Sequence, residues 1–391
     1  MIPLTSPISI RLAARRACGL LMLLAAAFRA SAVTPETPRP PHVLILSSYH
    51  HTYAWTDDII AGIEESLSSN GTPVMFSHEF LDTKRHAETP AYYELMAGVL
   101  EHKLQERPAD LLILSDNSAF NFAVTHRERL FSGIPVVFCG INNYTPAMRE
   151  QLPRSAGVAE HKEMGASIDL MRRLHPRTRS IAIVSDATGT GQIDAALTRN
   201  AIEESGLQVI ELSGTELTLN ELLERVGNLP AHSLVFFCSF WRDRDGLSLP
   251  APKVLARLTV AAPVPVYTHA DTFLTGGVLG GVVAHGRHQG NLAGDMARRI
   301  LHGEDPEAIP VVSRSNIPVF DLQALRRWKI DPRRLPPGAL LINPPPPTLF
   351  QQHSVLVGVV LSSFVILLGF VAGLAFNIAR RRRAEAEREK L

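Results

Sequence analysis

HVLILSSYHHTYAWTDDIIAGI, residues 42–63, joins a short apolar run to a helical pattern through a loop rich in hydroxyl and aromatic side chains. The apolar run predicts a strand buried on both faces, and Ile59, Ile60 and Ile63 recur with the spacing of a helix. The same alternation continues through residues 111–139 and 180–267. It predicts an α/β fold with two lobes, each built on a parallel sheet.

Composition agrees with a folded globular protein. The 391 residues are 46% hydrophobic and 20% charged, and 39 Lys and Arg against 38 Asp and Glu leave a net charge of +1. A protein that coats nucleic acid would carry a basic excess. Three cysteines are too few for a disulfide scaffold or a four-thiolate zinc site. We therefore expect no nucleic-acid partner, no metal and no cofactor.

The N-terminus has the pattern of a secretory signal. Three arginines precede the apolar run Ala17–Phe28, and Ala30–Ala32 supplies small residues of the kind found at cleavage sites. We assign residues 1–32 to a signal peptide. The rest of the folded region is therefore expected outside the cytoplasm.

A second apolar segment lies near the C-terminus. Residues 354–378 contain no charged side chain, and a helix of that length crosses a bilayer core. Arg380–Arg383 follow at once, so the positive-inside rule places the tail, 379–391, in the cytoplasm. We predict a single-pass protein of the inner (cytoplasmic) membrane, with its N-terminal domain in the periplasm or outside.

The remaining boundaries follow from proline-rich stretches and from the point at which the strand–helix pattern restarts. A Pro-rich linker precedes the lobes and a Pro-rich stalk follows them. We assign the linker to 33–41, the first lobe to 42–148 with completion by about 276–310, the second lobe to 149–275 with completion by about 311–343, and the stalk to 344–353.

Candidate ligand-binding residues lie where predicted strands end, because ligands of open parallel sheets bind beyond the carboxyl ends of the strands. These loops combine aromatic rings, carboxylates, amides and hydroxyls that suit a small polar metabolite. Asp116 has two interpretations, a ligand-facing carboxylate or a helix cap. The predicted site comprises Ser48, Tyr49, Trp55, Asp116, Asn117, Asn142, Asp186, Thr188, Thr190, Trp241, His269 and Asp271.

No pattern in the sequence indicates catalysis. There is no GxSxG elbow and no nucleophile–base pair with a known spacing. We therefore expect a binding protein rather than an enzyme. Cys139 and Cys238 end strands in different lobes, so we expect buried free thiols rather than a disulfide that would lock the cleft.

Several motifs together resemble a known family, the ABC-transporter substrate-binding-like family, over about residues 41–343. The similarity includes the opening stretch 42–63 and FLDTKR (80–85), LLILSDNSAFNFA (111–123), PVVFCGIN (135–142), DLMRRLHPRTRSIAIVSDATGTGQ (169–192), PVYTHADTFLTGGVLGGVV (265–283) and ILHGEDPEAIPVV (300–312). The resemblance implies a two-lobed periplasmic-binding-protein type I fold, as found in the extracytoplasmic sensor region of bacterial membrane signalling proteins. Those proteins continue into PAS, histidine kinase or diguanylate cyclase modules, and we expect no such output module in this chain.

Two functions stay open at this point. The chain is either the solute-sensing input of a signal-transduction system with a cytoplasmic signalling partner, or a membrane-anchored substrate-binding component that serves an ABC permease. The span and basic tail favour sensing, because transport binding proteins are usually free or lipid-anchored. Gly369 and Gly373 form a small-xxx-small face in the span, which predicts a homodimer contact.

Overall fold

The computed structural model describes residues 39–69, 71, 73–346 and 352–388. The predicted signal peptide, linker residues 33–38, stalk residues 347–351 and tail residues 389–391 lie outside the described residues.

The first lobe is built on a five-stranded, all-parallel sheet. Its strands are continuous apolar runs, and residues such as Val43, Ile113 and Val137 are fully buried because helices cover both faces. The strand order is β2-β1-β3-β4-β5. The elements are β1 (His42–Ser47), α1 (Ala54–Ser68), β2 (Met75–Phe80), α2 (Pro90–Glu106), β3 (Leu111–Ser115), α3 (Asp116–Thr125), α4 (Arg127–Leu130), β4 (Val136–Asn142), α5 (Pro146–Glu150) and β5 (Ser155–Glu160).

The second lobe is built on a seven-stranded sheet in the order β12-β11-β10-β9-β8-β6-β7. All neighbouring pairs are parallel except β10 with β11. Its elements, with α10 of the first lobe, are α6 (Met164–Leu174), β6 (Ser180–Ser185), α7 (Gly189–Glu204), β7 (Gln208–Ser213), α8 (Leu219–Gly227), β8 (Ser233–Phe237), α9 (Ala251–Ala261), β9 (Val266–Thr268), β10 (Gly280–Val283), α10 (Gly286–Leu301), β11 (Ile317–Asp321), α11 (Leu322–Arg327) and β12 (Leu340–Ile342). Short 3₁₀ turns occupy Asp271–Phe273, Pro306–Ala308 and Pro332–Arg334.

Helices α1 and α10 pack in direct backbone contact. A Cβ at Gly290 would collide with the carbonyl oxygen of Ile59, and one at Gly62 would collide with the carbonyl oxygen of Arg287. Glycine at these positions lets the two helix axes approach closely. Both helices begin at the cleft side of the first lobe, so their packing fixes the loops that precede them.

The predicted lobe boundaries need three corrections. Residues 155–160 belong to the first lobe, because β5 pairs with β4 before the chain crosses over. Residues 280–283 belong to the second lobe, because β10 pairs with β9 and β11. Val312 belongs to the first lobe, because it pairs with Val158. The chain therefore passes between the sheets after Glu160, after Val283 and after Val312.

The C-terminal segment is a long apolar helix. Helix α12 runs over Ser354–Arg388, and Ser354–Ala384 has a mean hydropathy of 2.8 with none of its most apolar window buried in the chain. Among the described residues it is the one helix long and apolar enough to cross a membrane. It contains the predicted span and continues into the basic tail.

Candidate functional site

A cavity of about 640 Å³ separates the two lobes at the carboxyl ends of their strands. Residues from both lobes form its wall, as expected for a ligand cleft in parallel α/β sheets. The structure brings nine of the twelve sequence-predicted residues together here: Tyr49, Trp55, Asp116, Asn142, Thr188, Thr190, Trp241, His269 and Asp271. Ligand contact by these residues stays a prediction.

The other three predicted residues do not line the cavity. Ser48 is buried, donates from Oγ to the Ser115 carbonyl at 2.7 Å and accepts from the Ala119 N–H at 2.8 Å. It ties β1 to the start of α3. The structure therefore gives Ser48 a structural role and does not place it in the cavity wall.

Asn117 and Asp186 also shape loops instead of facing the cavity. The Asn117 amide bonds both backbone groups of Asn142, at 3.0 and 3.1 Å. Asp186 is fully buried and accepts from the N–H of Thr188 at 2.8 Å and from the N–H of Trp241 at 2.6 Å. Their polar atoms position neighbouring residues that do line the cavity, and neither Asn117 nor Asp186 is itself part of the cavity wall.

Asp116 is both a helix start and a cavity residue. It begins α3 with a φ of 70°, a left-handed conformation that is uncommon outside glycine. Its carboxylate accepts from Trp55 Nε1 at 3.0 Å and from Ser115 Oγ at 2.7 Å. Burial raises the pKa of Asp116 to about 6 despite these donors. The indole therefore holds a buried carboxylate at the cavity wall.

Two further carboxyl groups face the same space. Burial raises the pKa of Glu160 to about 8, and the nearby charge of Asp116 adds to the rise. Burial raises the pKa of Asp271 to about 6. Asp271 Oδ2 accepts from the Gly286 N–H at 2.6 Å, whereas Oδ1 is buried and has no hydrogen-bond partner among the described residues. The cavity wall thus holds three carboxyl groups, and at least one of their oxygen atoms, Asp271 Oδ1, can accept a further hydrogen bond.

A single lysine approaches these acids from the first lobe. Lys84 Nζ lies 4.3 Å from the ring centroid of Tyr49 and 4.8 Å from that of Tyr53. Burial lowers the pKa of Lys84, and the charge of Asp116 opposes that shift. No carboxylate of the described residues lies within 4.0 Å of its ammonium group. The lysine is therefore held by cation–π contacts and keeps donors for another anion.

The second lobe contributes a paired polar cluster and an apolar surface. Lys162 Nζ lies 2.5 Å from Asp194 Oδ1, and His269 Nε2 lies 3.5 Å from Asp194 Oδ2. Burial lowers the pKa of His269, so the ring favours its neutral form. Ile193 and Leu197 line the cavity next to this cluster and are 57% and 42% exposed. Apolar side chains so exposed in a cleft are available for ligand or for the opposite lobe.

The loop before α7 forms an anion-compatible corner. Thr188 caps the helix by accepting from the Gly191 N–H at 3.1 Å, and Thr188 and Thr190 both line the cavity. The first N–H groups of a helix carry partial positive charge.

Cys139 and Cys238 do not form a disulfide bond. Both thiols are free and buried, as the sequence predicted.

Comparison with known proteins decides the family. The family model described as "ABC transporter substrate binding protein" matches residues 93–331, more than half of the chain. The chain belongs to this family. No curated protein sequence is detectably similar to it. The resemblance stated from the motifs is thereby confirmed.

Among the solved structures that resemble this ABC transporter substrate-binding family member, one with a TM-score above 0.5 supports the fold. A ligand-free, open substrate binding protein with adhesive properties from Clostridium difficile is 14% identical, with a TM-score of 0.56, over 78% of this chain and 100% of its own. An ABC domain from Streptococcus pneumonia in complex with L-Trp is 16% identical, with a TM-score of 0.48, over 78% of this chain and 100% of its own. The predicted α/β type I binding-protein fold is confirmed.

Sequence reasoning missed several cavity residues of this family member. Lys84 stands inside the FLDTKR motif, but nothing in that motif indicates which side chain turns inward. Glu160 ends β5, a strand whose lobe the sequence pattern does not identify. The missed polar and aromatic wall residues are Tyr53, Lys84, Asn143, Glu160, His161, Lys162, Asp194, Ser239, Thr272 and Phe273. A polar residue at the end of a predicted strand was the available signal for Glu160.

Proposed function

We propose that this chain is an extracytoplasmic solute-sensing protein, anchored by α12, that captures a small amphoteric molecule in the cleft. The observation that carries the proposal is the charge pattern of the cavity. Asp116, Glu160 and Asp271 are carboxyl groups with raised pKa values, and in the described part of the chain none has a salt-bridge partner. A ligand ammonium group would offset their mutual repulsion and their desolvation.

The cavity also has groups that can bind the negatively charged end of the ligand. Lys84 and the N-terminal end of α7 can receive a carboxylate, since both present N–H donors at the cavity wall. Tyr49, Tyr53 and Trp241 add aromatic surface for an apolar side group. The favoured ligand class is therefore a primary amine with a carboxylate and an apolar or aromatic group.

The test compares three related ligands on the full chain in lipid nanodiscs by thermal unfolding. Phenylalanine carries both charges, phenethylamine lacks the carboxylate and 3-phenylpropionate lacks the amine. We expect the amphoteric compound to raise Tm most. Equal shifts with 3-phenylpropionate would contradict the role of the three acids.

A matched pair of variants tests the carboxylate half of the proposal. Lys84→Met keeps the aliphatic stem and removes the ammonium group, so it should abolish the preference for phenylalanine over phenethylamine. Lys253→Met changes an exposed lysine outside the cavity and should leave the preference intact. Loss of preference in both variants would contradict the assigned role of Lys84.

The family description favours a second candidate, a binding component of an ABC transporter. The two roles make different demands on the tail, because a sensor must pass a signal through the membrane whereas a binding component delivers solute outside it. Removal of residues 379–391 should abolish a ligand-dependent cytoplasmic response in a sensor. Solute uptake that survives this deletion, without any such response in the intact chain, would favour transport.

A further inference from the structure

One edge of the second lobe carries a cluster of exposed cations, here called the basic edge. Strand β6 starts at this edge and ends at the cleft, and antiparallel β11 ends at it. The segments that precede β6 and follow β11 therefore meet on the side away from the ligand. The basic edge comprises Arg172, Arg173, Arg177, Arg179, Arg326, Arg327, Lys329, Arg333 and Arg334, all of them exposed.

The two segments are joined by hydrogen bonds. Arg334 Nη2 donates to the carbonyl oxygens of Arg173 and Leu174, both at 3.0 Å. An open groove of about 1010 Å³ lies between the segments, with Arg172, Arg173 and Pro336 in its wall. The two segments that carry the cations are therefore in direct contact.

Few of these cations are neutralised within the chain. In the part of the chain that the structure describes, salt bridges link only Arg172 to Asp169, at 4.0 Å, and Arg333 to Asp331, at 2.6 Å. The acidic residues Glu203 and Glu204 end α7 beside β7, the neighbour of β6, so they lie on the Arg177 and Arg179 side of the basic edge and away from β11 and β12. A chain with a net charge of only +1 thus concentrates positive charge at one place.

The chain leaves the lobe at the same edge. Strand β12 runs parallel to β11 and ends there. From Ile342 to Ser354 the polypeptide can span at most about 40 Å. Leu340 and Leu341, on the edge strand β12, are 40% and 42% exposed. Cations, apolar side chains and the connection to α12 therefore share one side of the molecule.

We propose that the basic edge binds the anionic phospholipid headgroups of the membrane leaflet from which α12 emerges. The inference rests on anchoring by α12 in the proposed function. Arginine and lysine side chains bind phosphate groups, and exposed apolar side chains beside them suit the interface. The short connection keeps this surface near the bilayer, which favours lipid over a diffusing acidic protein. Binding fixes the second lobe and leaves the first lobe as the moving part.

The experiment places a fluorophore on the basic edge of the full chain. Gln323→Cys puts a reactive thiol at an exposed position of α11, whereas Cys139 and Cys238 are buried. The labelled chain is reconstituted in nanodiscs of phosphatidylcholine, with or without phosphatidylglycerol, that contain headgroup spin-labelled lipid. Quenching of the fluorophore reports contact with the headgroups. Co-elution of chain and discs in high salt tests insertion of α12 separately.

We expect strong quenching in phosphatidylglycerol discs, and loss of it in phosphatidylcholine alone or in high salt. The variant R173Q/R177Q/R326Q should lose quenching, since each cation near an anionic surface favours the bound state by about fivefold. The control R107Q/K253Q/R257Q removes the same charge from other exposed positions and should behave as wild type. Equal quenching in both lipids would overturn the proposal, and so would an equal loss of quenching in both triple variants. Quenching that needs an added acidic protein would overturn it as well. Failure of co-elution would instead contradict the anchoring on which it rests.

Discussion

The chemistry of individual residues in the cleft centres on carboxyl groups whose ionised form is destabilised by burial. Glu160 illustrates this, because it is half-buried at the end of β5 and close to the charges of Asp116 and Asp271. A carboxyl group kept in such surroundings favours its protonated form until a cation arrives. Ligand binding and ionisation of Glu160 are therefore expected to be linked.

We expect Glu160→Gln to stabilise the ligand-free protein at high pH only. The pKa of this carboxyl group rises from 4.5 to about 8 on folding, so the wild type loses stability as pH increases through that window. The loss is at most about 1.4 kcal/mol per pH unit. The difference in free energy of unfolding between variant and wild type should be near zero at about pH 4 and largest above about pH 8.

Urea unfolding followed by tryptophan fluorescence across this pH range checks the prediction. Glu150→Gln serves as the control, since Glu150 is exposed at the end of α5. It should show no comparable growth of the difference with pH. A constant difference for Glu160→Gln would show that burial does not hold the carboxyl group protonated.

At the scale of elements, the α1–α10 pair couples the cleft loops to the core. Gly286, Gly290 and Gly294 recur at intervals of four on α10 and face the α1 backbone or its side chains. We expect Gly290→Ala to destabilise the protein by about 1–3 kcal/mol or more, because the added methyl group meets the carbonyl of Ile59 and two backbones must separate.

A glycine elsewhere supplies the control for that substitution. Gly98 lies in α2, and a methyl group added there would meet nothing within 4 Å apart from the adjoining backbone of its own helix. Gly98→Ala should stabilise the protein by up to about 1 kcal/mol, since alanine favours helix and nothing is displaced. Denaturant unfolding compares the two. Similar effects of both substitutions would contradict close packing of α1 on α10.

Local sequence patterns predicted the individual strands and helices better than they predicted which strands pair in each sheet. The apolar runs of β1 and β3 identify buried strands because a parallel sheet requires them. Which sheet β5 and β10 join is determined by pairing with distant segments, and no local pattern encodes it. Lys84 and Glu160 were missed for the same reason, since their places in the cleft depend on tertiary approach.

Across the whole molecule, three crossing segments connect the lobes, and hydrogen bonds link these segments to one another. Gln289 Nε2 donates to Ser315 Oγ at 3.2 Å, and Ser315 Oγ donates to the Ala159 carbonyl at 3.1 Å. Asn316 Nδ2 donates to the His161 carbonyl at 2.8 Å. These bonds join the first and third crossings to α10. Relative motion of the lobes must therefore occur in those residues of the crossings that the bonds do not hold.

We expect the lobes to close on ligand. Closure would cover the exposed apolar side chains of Ile193 and Leu197 and complete the ligand contacts from both sides. Spin labels on Ala91→Cys and Asp245→Cys, both exposed and in different lobes, should move closer on addition of a ligand identified by thermal unfolding. Lys84→Met at the same ligand concentration should retain the longer distance. An unchanged distance in the wild type with bound ligand would exclude closure as the signal.

The final step is transmission through α12, for which we expect a parallel homodimer. Gly369 and Gly373 leave a shallow face on a helix that continues without a break to Arg388. A second copy of the helix could approach closely there, and a continuous helix would carry displacement into the tail. Single cysteines along 362–376 should crosslink in membranes with helical periodicity and peak beside this face. Gly369→Leu with Gly373→Leu should abolish the crosslinks, whereas Ala375→Leu, on the opposite side of α12, should retain them. Absent crosslinks at every position would make a membrane-anchored monomer the better description, and would remove the dimer as the route by which closure reaches the cytoplasm.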